Sequence, residues 1–142
     1  MRVILCGSPQ WNYDQIVVDE VVKLRRLCRD KGEKLLIITG GEVGPERATE
    51  FFCRKLGIDF MTQPAITVLG DSSYFRRNEL MIKYHKPDLV IGIAHKIDEN
   101  QVIYHLLQIA NIKGIKIKAI DYESLSKRHD EIIADSAIGS YS

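Results

Sequence analysis

Short apolar runs alternate along the chain with stretches in which apolar residues recur every three or four positions. The runs have the length and the β-branched content of strands, and the first three are almost continuously apolar, as expected where a parallel sheet is covered on both faces. The fourth run alternates isoleucine with lysine, which predicts that one of its faces contacts water. The predicted strands cover residues 2–6, 35–39, 88–93 and 115–120, with a short further strand within residues 57–65.

The intervals between these runs have the spacing of amphipathic helices. In the first interval Val17, Val21 and Leu24 lie on one helix face, and a glycine ends the pattern. In the last interval Asp98 and Gln101 are placed as a variant of the capping box, which predicts a helix start just after them. Further helices are predicted before Gly57, over about residues 74–85 and over residues 102–110.

The order of the elements predicts a doubly wound α/β fold. Each crossover is long enough to carry a helix, and right-handed connections place the helices on both faces of a parallel sheet. We therefore expect a mainly parallel, five-stranded, Rossmann-like sheet of order 3-2-1-4-5. A chain of 142 residues has the size of one domain. Residues 1–121 are predicted to form it, and residues 122–142 a polar C-terminal extension.

Charge and composition exclude several classes of function. Lysine and arginine total 20 residues against 19 aspartates and glutamates, so no overall field favours nucleic acid or an anionic membrane. No apolar run reaches the roughly 18 residues of a membrane span, and no secretory leader is visible. The three cysteines are widely spaced within apolar patterns, which is typical of buried thiols in a reducing compartment. We expect a cytoplasmic protein without a metal or other cofactor.

Ligands of doubly wound sheets bind beyond the carboxyl ends of the strands, where the strand order reverses. With the short strand within residues 57–65 counted as the third, this point lies between the first strand (residues 2–6) and the fourth (residues 88–93). Residues at this edge are therefore the candidates for chemistry. The loops that meet there cover residues 7–13, 40–46, 62–73 and 94–100.

The stretch "TGGEVGPE" follows the second predicted strand and allows two interpretations. Gly40 and Gly41 would let the backbone approach a ligand closely, and the following helix start would offer free N–H groups to a phosphate. In the other interpretation the stretch is only a tight turn, with Gly44 as the helix N-cap and Pro45 in the first helical position. Pro45 removes one donor and Glu46 adds negative charge, so the spacing alone does not decide between them.

A second candidate element is "FRRNELM", in which Arg76, Arg77 and Asn78 open a helix after a long loop. Their guanidinium and amide groups would be suitable donors if they point into the cleft. Arginines in an exposed first turn are also commonly no more than solvated charge. Both interpretations stay open at this point.

The remaining candidates lie in the first loop and after the fourth strand. Ser8, Trp11 and Tyr13 follow the first strand, where an aromatic ring either stacks on a base or covers the edge of the sheet. His95 stands at the end of a central strand, where a side chain reaches the edge. His105 lies beside the apolar stripe of its helix and is interpreted as structural.

The order of these motifs resembles the SLOG superfamily of Rossmann-like nucleotide-binding proteins, especially the small stand-alone bacterial and phage members of its YspA-like branch. The resemblance spans about residues 1 to 120, and five motifs occur in the order typical of the branch. They are Cys6-Gly7-Ser8 with Trp11 and Tyr13, Gly40-Gly41-Glu42-Val43-Gly44-Pro45-Glu46, Gln63-Pro64-Ala65, Arg77-Asn78-Glu79-Leu80-Met81 and Pro87-Asp88-Leu89-Val90.

The chain departs from that branch at two places. Val43 stands where the branch often has arginine. The second glycine-rich loop of the superfamily is replaced by "AHKIDEN", in which His95, Lys96 and Ile97 stand in place of glycines. In the related phosphoribohydrolases that loop holds phosphate and leads to the catalytic glutamate. The backbone here cannot approach a phosphate in the same way, and Lys96 offers a positive charge instead.

The resemblance implies that the double-glycine turn lines a nucleotide pocket. The leading expectation is a cytoplasmic binding module, acting as a sensor or sequestering protein, for a nucleotide-derived ligand such as an NAD- or ADP-ribose-like molecule. The ligand-binding residues are then predicted to be Gly7, Ser8, Trp11, Tyr13, Gly40, Gly41, Gly44, Glu46, Arg76, Arg77, Asn78, His95 and Lys96.

Two other functions remain open. One is an enzyme that hydrolyses or transfers an N-glycosidic bond of nucleosides or nucleotides, with Glu46 or Glu79 as the carboxylate nucleophile or base. The other is a structural or partner-binding subunit whose pocket is vestigial. A homo-oligomer is one arrangement that the sequence leaves open.

Overall fold

The computed structural model describes residues 1–66, 70 and 72–122. Apart from residue 122, the predicted C-terminal extension lies outside the described residues, as do residues 67–69 and 71 of the long loop. The strands are β1 (Arg2–Gly7), β2 (Leu36–Thr39), β3 (Asp59–Thr62), β4 (Leu89–Ile93) and β5 (Lys116–Ile120). The α-helices are α1 (Asp14–Lys31), α2 (Pro45–Leu56), α3 (Ser72–His85) and α4 (Gln101–Ile112).

All five strands are parallel and lie in the order β3-β2-β1-β4-β5. The predicted fold class and strand order are therefore confirmed. β1 lies in the centre, where Ile4 pairs with Ile38 of β2 on one side and with Val90 of β4 on the other. The strand order reverses between β1 and β4, so the loops after these two strands diverge to opposite faces of the sheet.

Successive side chains of β1 serve two hydrophobic layers because a strand directs them to alternate faces. Val3 and Leu5 pack with α1 and α2 on one face. Ile4 and Cys6 pack with α3 and α4 on the other. All three cysteines are buried and free, which confirms the prediction of buried thiols. No described helix combines the length and the apolar character needed to span a membrane.

Two local predictions need adjustment. Asp98 does not take part in capping α4, because residues Ile97–Glu99 form a separate 3-10 turn before it. The N-cap is Asn100, whose side-chain oxygen accepts a hydrogen bond from the N–H of Ile103 at 3.0 Å. On β5, Lys116 is exposed as predicted, but the ammonium of Lys118 lies 2.8 Å from the buried carboxylate of Glu20.

Candidate functional site

Among the cavities lined by the described residues, three lie at or near the carboxyl ends of the strands. The edge cavity, of about 510 Å³, lies at the ends of β1, β4 and β5 and is lined by Ser8, His95 and Tyr122 among others. The inner cavity, of about 220 Å³, lies between the ends of β1 and β2 and the helices α3 and α4. The α3 cavity, of about 590 Å³, lies between α3 and residues 63–66. Asn100 lines both the edge and inner cavities, and Arg77 lines both the inner and α3 cavities.

A buried ion pair joins two of the predicted site residues at the inner cavity. Glu46 lies in the first turn of α2, and Arg77 lies on α3. Their Oε1 and Nη1 atoms are 3.9 Å apart, and the two side chains are only 2% and 3% exposed. The pair therefore ties α3 to the start of α2 beneath the edge of the sheet.

The carboxylate of Glu46 accepts hydrogen bonds from backbone N–H groups at the ends of two neighbouring strands, β1 and β2. Its Oε1 accepts a hydrogen bond from the N–H of Gly40 at 2.7 Å, and its Oε2 accepts one from the N–H of Gly7 at 3.3 Å. These are the amides that would face a phosphate placed at the ends of β1 and β2. The chain itself thus supplies the anionic group at this position.

The two glycines after β2 have packing roles within the chain. A Cβ atom on Gly40 would collide with Nη1 of Arg77 and with the Glu46 carboxylate. Gly41 has φ +75°, and a Cβ there would lie 2.6 Å from Cγ2 of Thr62. The turn has the geometry of the second interpretation, with Gly44 as N-cap and Pro45 in the first turn of α2.

The three residues of the "RRN" element point in different directions. Arg76 is exposed and its Nη1 lies 3.6 Å from a carboxylate oxygen of Glu79, as expected for solvated surface charge. Arg77 is buried and donates one hydrogen bond, from Nη2 to Oδ1 of Asn78 at 3.2 Å. Asn78 is fully buried, and its Nδ2 donates to the carbonyl of Val102 at 2.9 Å. Asn78 therefore joins α3 to α4.

Aromatic rings cover the β1 end of the sheet. Trp11 is 2% exposed and its Nε1 donates to the carbonyl of Tyr13 at 3.2 Å. The Trp11 ring stacks on Tyr122 with 5.2 Å between centroids, and Tyr122 lies 4.3 Å from the His95 ring. The structure thus places Trp11 as a cover of the sheet, whereas Tyr122 and His95 line the edge cavity.

The predicted site residues consequently fall into several groups. Ser8, His95 and Lys96 line the edge cavity, whereas Gly7, Glu46 and Arg77 line the inner cavity. Arg76, Arg77 and Glu79 line the α3 cavity. Trp11 and Asn78 are buried in packing, Tyr13 packs edge-on against the rings of Trp11 and Tyr122, and Gly40, Gly41 and Gly44 form the turn beside the inner cavity.

Sequence reasoning missed a number of residues that line these cavities, among them Ser73, Tyr74, Asn100 and Tyr122. Asn100 and Tyr122 each follow a strand at the carboxyl edge, and this placement was a usable signal. Ser73 and Tyr74 lie in the first turn of α3, and their direction depends on how that helix packs against the sheet.

The two carboxylates proposed as catalytic have unlike surroundings. Glu46 is buried, and both of its oxygens accept backbone hydrogen bonds. Glu79 is exposed beside Arg76. Burial raises the pKa of Glu46, while Arg77 and the N–H groups of Gly7 and Gly40 oppose that rise. A catalytic role for either residue stays a prediction.

The raised pKa of Glu46 predicts a specific pH dependence of stability. The folded state binds this proton more tightly than the unfolded chain, in which the carboxyl pKa has its ordinary value of 4.5. The contribution of Glu46 to the free energy of unfolding therefore falls as pH rises from 4.5 through the folded pKa. We expect the stability of the parent to decrease relative to that of Glu46→Gln over this interval, as measured by urea unfolding at a series of pH values.

The other titrating groups are the same in the parent and in Glu46→Gln. Their contributions therefore cancel when the free energies of unfolding of the two proteins are subtracted. His85 is one of these groups, because burial lowers its pKa and its contribution to stability is lost as pH falls below 6.5. A difference between parent and Glu46→Gln that stays constant with pH would contradict the raised pKa.

Within the described part of the chain, no group of three or more histidine, cysteine, aspartate or glutamate side chains is arranged to hold a metal ion. No protein-family model matches the chain, and no curated protein was found to match it. Membership of the SLOG superfamily therefore stays a prediction.

Proposed function

We propose that the chain is a binding module for a nucleotide-derived small molecule, which it holds by the base and ribose in the edge cavity. The observation that carries this proposal is the position of that cavity, beside the reversal of strand order between β1 and β4. Ligands of doubly wound sheets bind at this point. The volume of about 510 Å³ is in the range of small-molecule sites.

Ring faces in the edge cavity suit a planar base. Tyr122 is 36% exposed, and its ring lies 4.3 Å from that of His95 at an interplanar angle of 39°. Trp11 stacks on Tyr122 and holds the ring in place. A base stacked on Tyr122 would therefore meet a ring whose orientation is already set, which reduces the entropy lost on binding.

Charge in the edge cavity suits a hydroxylated group better than a phosphate. Asp98, Glu99 and Asp121 contribute carboxylates, and their oxygens accept hydrogen bonds from ribose hydroxyls. The cationic group of Lys96 is exposed and lies 3.4 Å from Glu99. The ribose is therefore placed against the carboxylates, and a phosphate lies toward solvent beside Lys96.

Removing the Tyr122 ring is expected to weaken nucleotide binding. Base stacking on an aromatic side chain contributes on the order of 1 to 3 kcal/mol, so Tyr122→Ala should lower the affinity for adenosine, AMP, ADP-ribose or NAD by about tenfold or more. The matched control is Tyr84→Ala, which removes an exposed tyrosine from α3. Calorimetric titration of the three proteins measures the effect, and equal affinities in all three would contradict the proposed site.

Incubation with nucleosides and nucleoside monophosphates distinguishes this function from the alternatives. A binding module releases no free base, whereas an N-glycosidase or transferase does. Neither Glu46, with both oxygens occupied, nor the exposed Glu79 lines the edge cavity. A subunit with a vestigial pocket would show no thermal shift with any of these compounds.

A further inference from the structure

The α3 cavity has an apolar wall that the edge cavity lacks. It lies between α3 and the segment that leaves β3, and its volume is about 590 Å³. Its wall includes Pro64, Ile66, Phe75 and Leu80. A small molecule bound here would therefore pack an apolar body against these side chains.

Two residues that line the same cavity carry polar atoms without partners. Among buried side-chain atoms of the described residues, Oγ of Ser73 and Nε and Nη1 of Arg77 have no hydrogen-bond partner. The two residues are only 8% and 3% exposed, and both line the α3 cavity. They are four positions apart on α3 and so share one face of the helix. Buried donors without partners are costly. These atoms are covered from solvent, and a ligand with acceptor atoms would satisfy them once the side chains turn toward the cavity.

Donors around the α3 cavity favour an anion. Two arginines and one glutamate line it, and Arg76 pairs with Glu79. Arg77 pairs with Glu46, which is not among the lining residues, but Nε and Nη1 of Arg77 keep no hydrogen-bond partner. The first turn of α3 adds the positive end of a helix dipole. The α3 cavity thus differs from the edge cavity, where carboxylates predominate.

We propose that the α3 cavity is a second binding site, which takes a small organic anion with an apolar body. Its carboxylate or phosphate oxygens accept hydrogen bonds from Ser73 and Arg77, and its apolar part packs against Ile66, Phe75 and Leu80. The site is separate from the nucleotide site proposed above and does not depend on it. Arg77 also supports the fold through Glu46, so Ser73 is the residue on which the proposal is tested.

The test uses phenyl phosphate and phenylacetate as anionic probes and benzyl alcohol as their neutral counterpart, each titrated calorimetrically into the full chain. At least one anion should bind the parent more tightly than benzyl alcohol. Ser73→Ala should weaken that binding about tenfold, because a hydrogen bond to a charged group is lost. Ala65→Phe, which fills the apolar end of the cavity, should weaken it as well.

Two comparisons separate this site from a structural role and from the edge cavity. The Oγ of Ser73 has no partner in the folded chain, so Ser73→Ala without ligand should unfold at no lower urea concentration than the parent. Tyr122→Ala should leave the binding of the anions unchanged, whatever it does to adenosine. Full affinity for the anions in Ser73→Ala, or binding of neither anion to the parent, would overturn the proposal. A response to only one anion identifies the preferred head group.

Discussion

Replacement of Arg77 by methionine is expected to lower the free energy of unfolding by about 3 to 5 kcal/mol, because it leaves the buried carboxylate of Glu46 without its cationic partner. The two side chains are 3% and 2% exposed, so the unpaired carboxylate meets water at most through the inner cavity. Methionine keeps much of the apolar stem of arginine. The effect therefore reports the charge more than the loss of packing. Urea unfolding at pH 7 measures it.

Two further proteins make the interpretation specific. Arg76→Met changes the same residue type one position away, where the side chain is exposed, and should change the free energy of unfolding by less than about 0.5 kcal/mol. The double variant Glu46→Gln with Arg77→Met removes both charges and should be more stable than Arg77→Met alone. If the double variant is the less stable of the two, the buried charge is not the cause.

Replacement of Gly40 by alanine is expected to cost about 1 to 3 kcal/mol, because the added Cβ occupies space that the buried ion pair fills. In the parent this Cβ would collide with Nη1 of Arg77 and lie 2.5 Å from Oε1 of Glu46. Two backbone N–H groups hold the carboxylate, so it cannot move away freely. The same substitution would also disturb the hydrogen bond from the Gly40 N–H. Urea unfolding of the alanine variant measures the sum of these effects.

A double-mutant cycle shows whether Gly40 acts through the ion pair. Once Gly40→Ala has displaced the pair, the further change Arg77→Met should cost less than it does in the parent. Gly114→Ala is the control. Gly114 has a positive φ, +77°, which Gly40 does not, and no atom lies within 4 Å of the added Cβ, so the cost of Gly114→Ala should add to that of Arg77→Met. Additive costs for Gly40→Ala would show that the glycine serves the turn alone.

The sequence alone determined the fold of this chain to within a few residues at the ends of the elements. Nearly continuous apolar strands and the amphipathic intervals between them are local patterns, and the handedness of the crossovers restricts how such units assemble. The same reasoning placed the loops that meet at the carboxyl edge. The predicted and observed ends of the elements differ where two candidate N-cap residues lie close together, as at the start of α4. There Asn100 caps the helix and Asp98 lies in the preceding turn.

The tertiary structure decided which contacts the residues at that edge make. The sequence motifs predicted that Gly40, Glu46 and Arg77 bind a ligand. In the structure the three residues pack together around the buried ion pair of Glu46 with Arg77. The direction of the Ser73 side chain could not be predicted from the sequence either. It depends on how α3 is rotated about its axis, which is set by packing against α4 and the sheet and not by the weak apolar pattern of its first turn. Local periodicity determines which segments become strands and helices. The partners of a charged side chain depend on distances between segments far apart in the chain, and these exist only once the segments have packed.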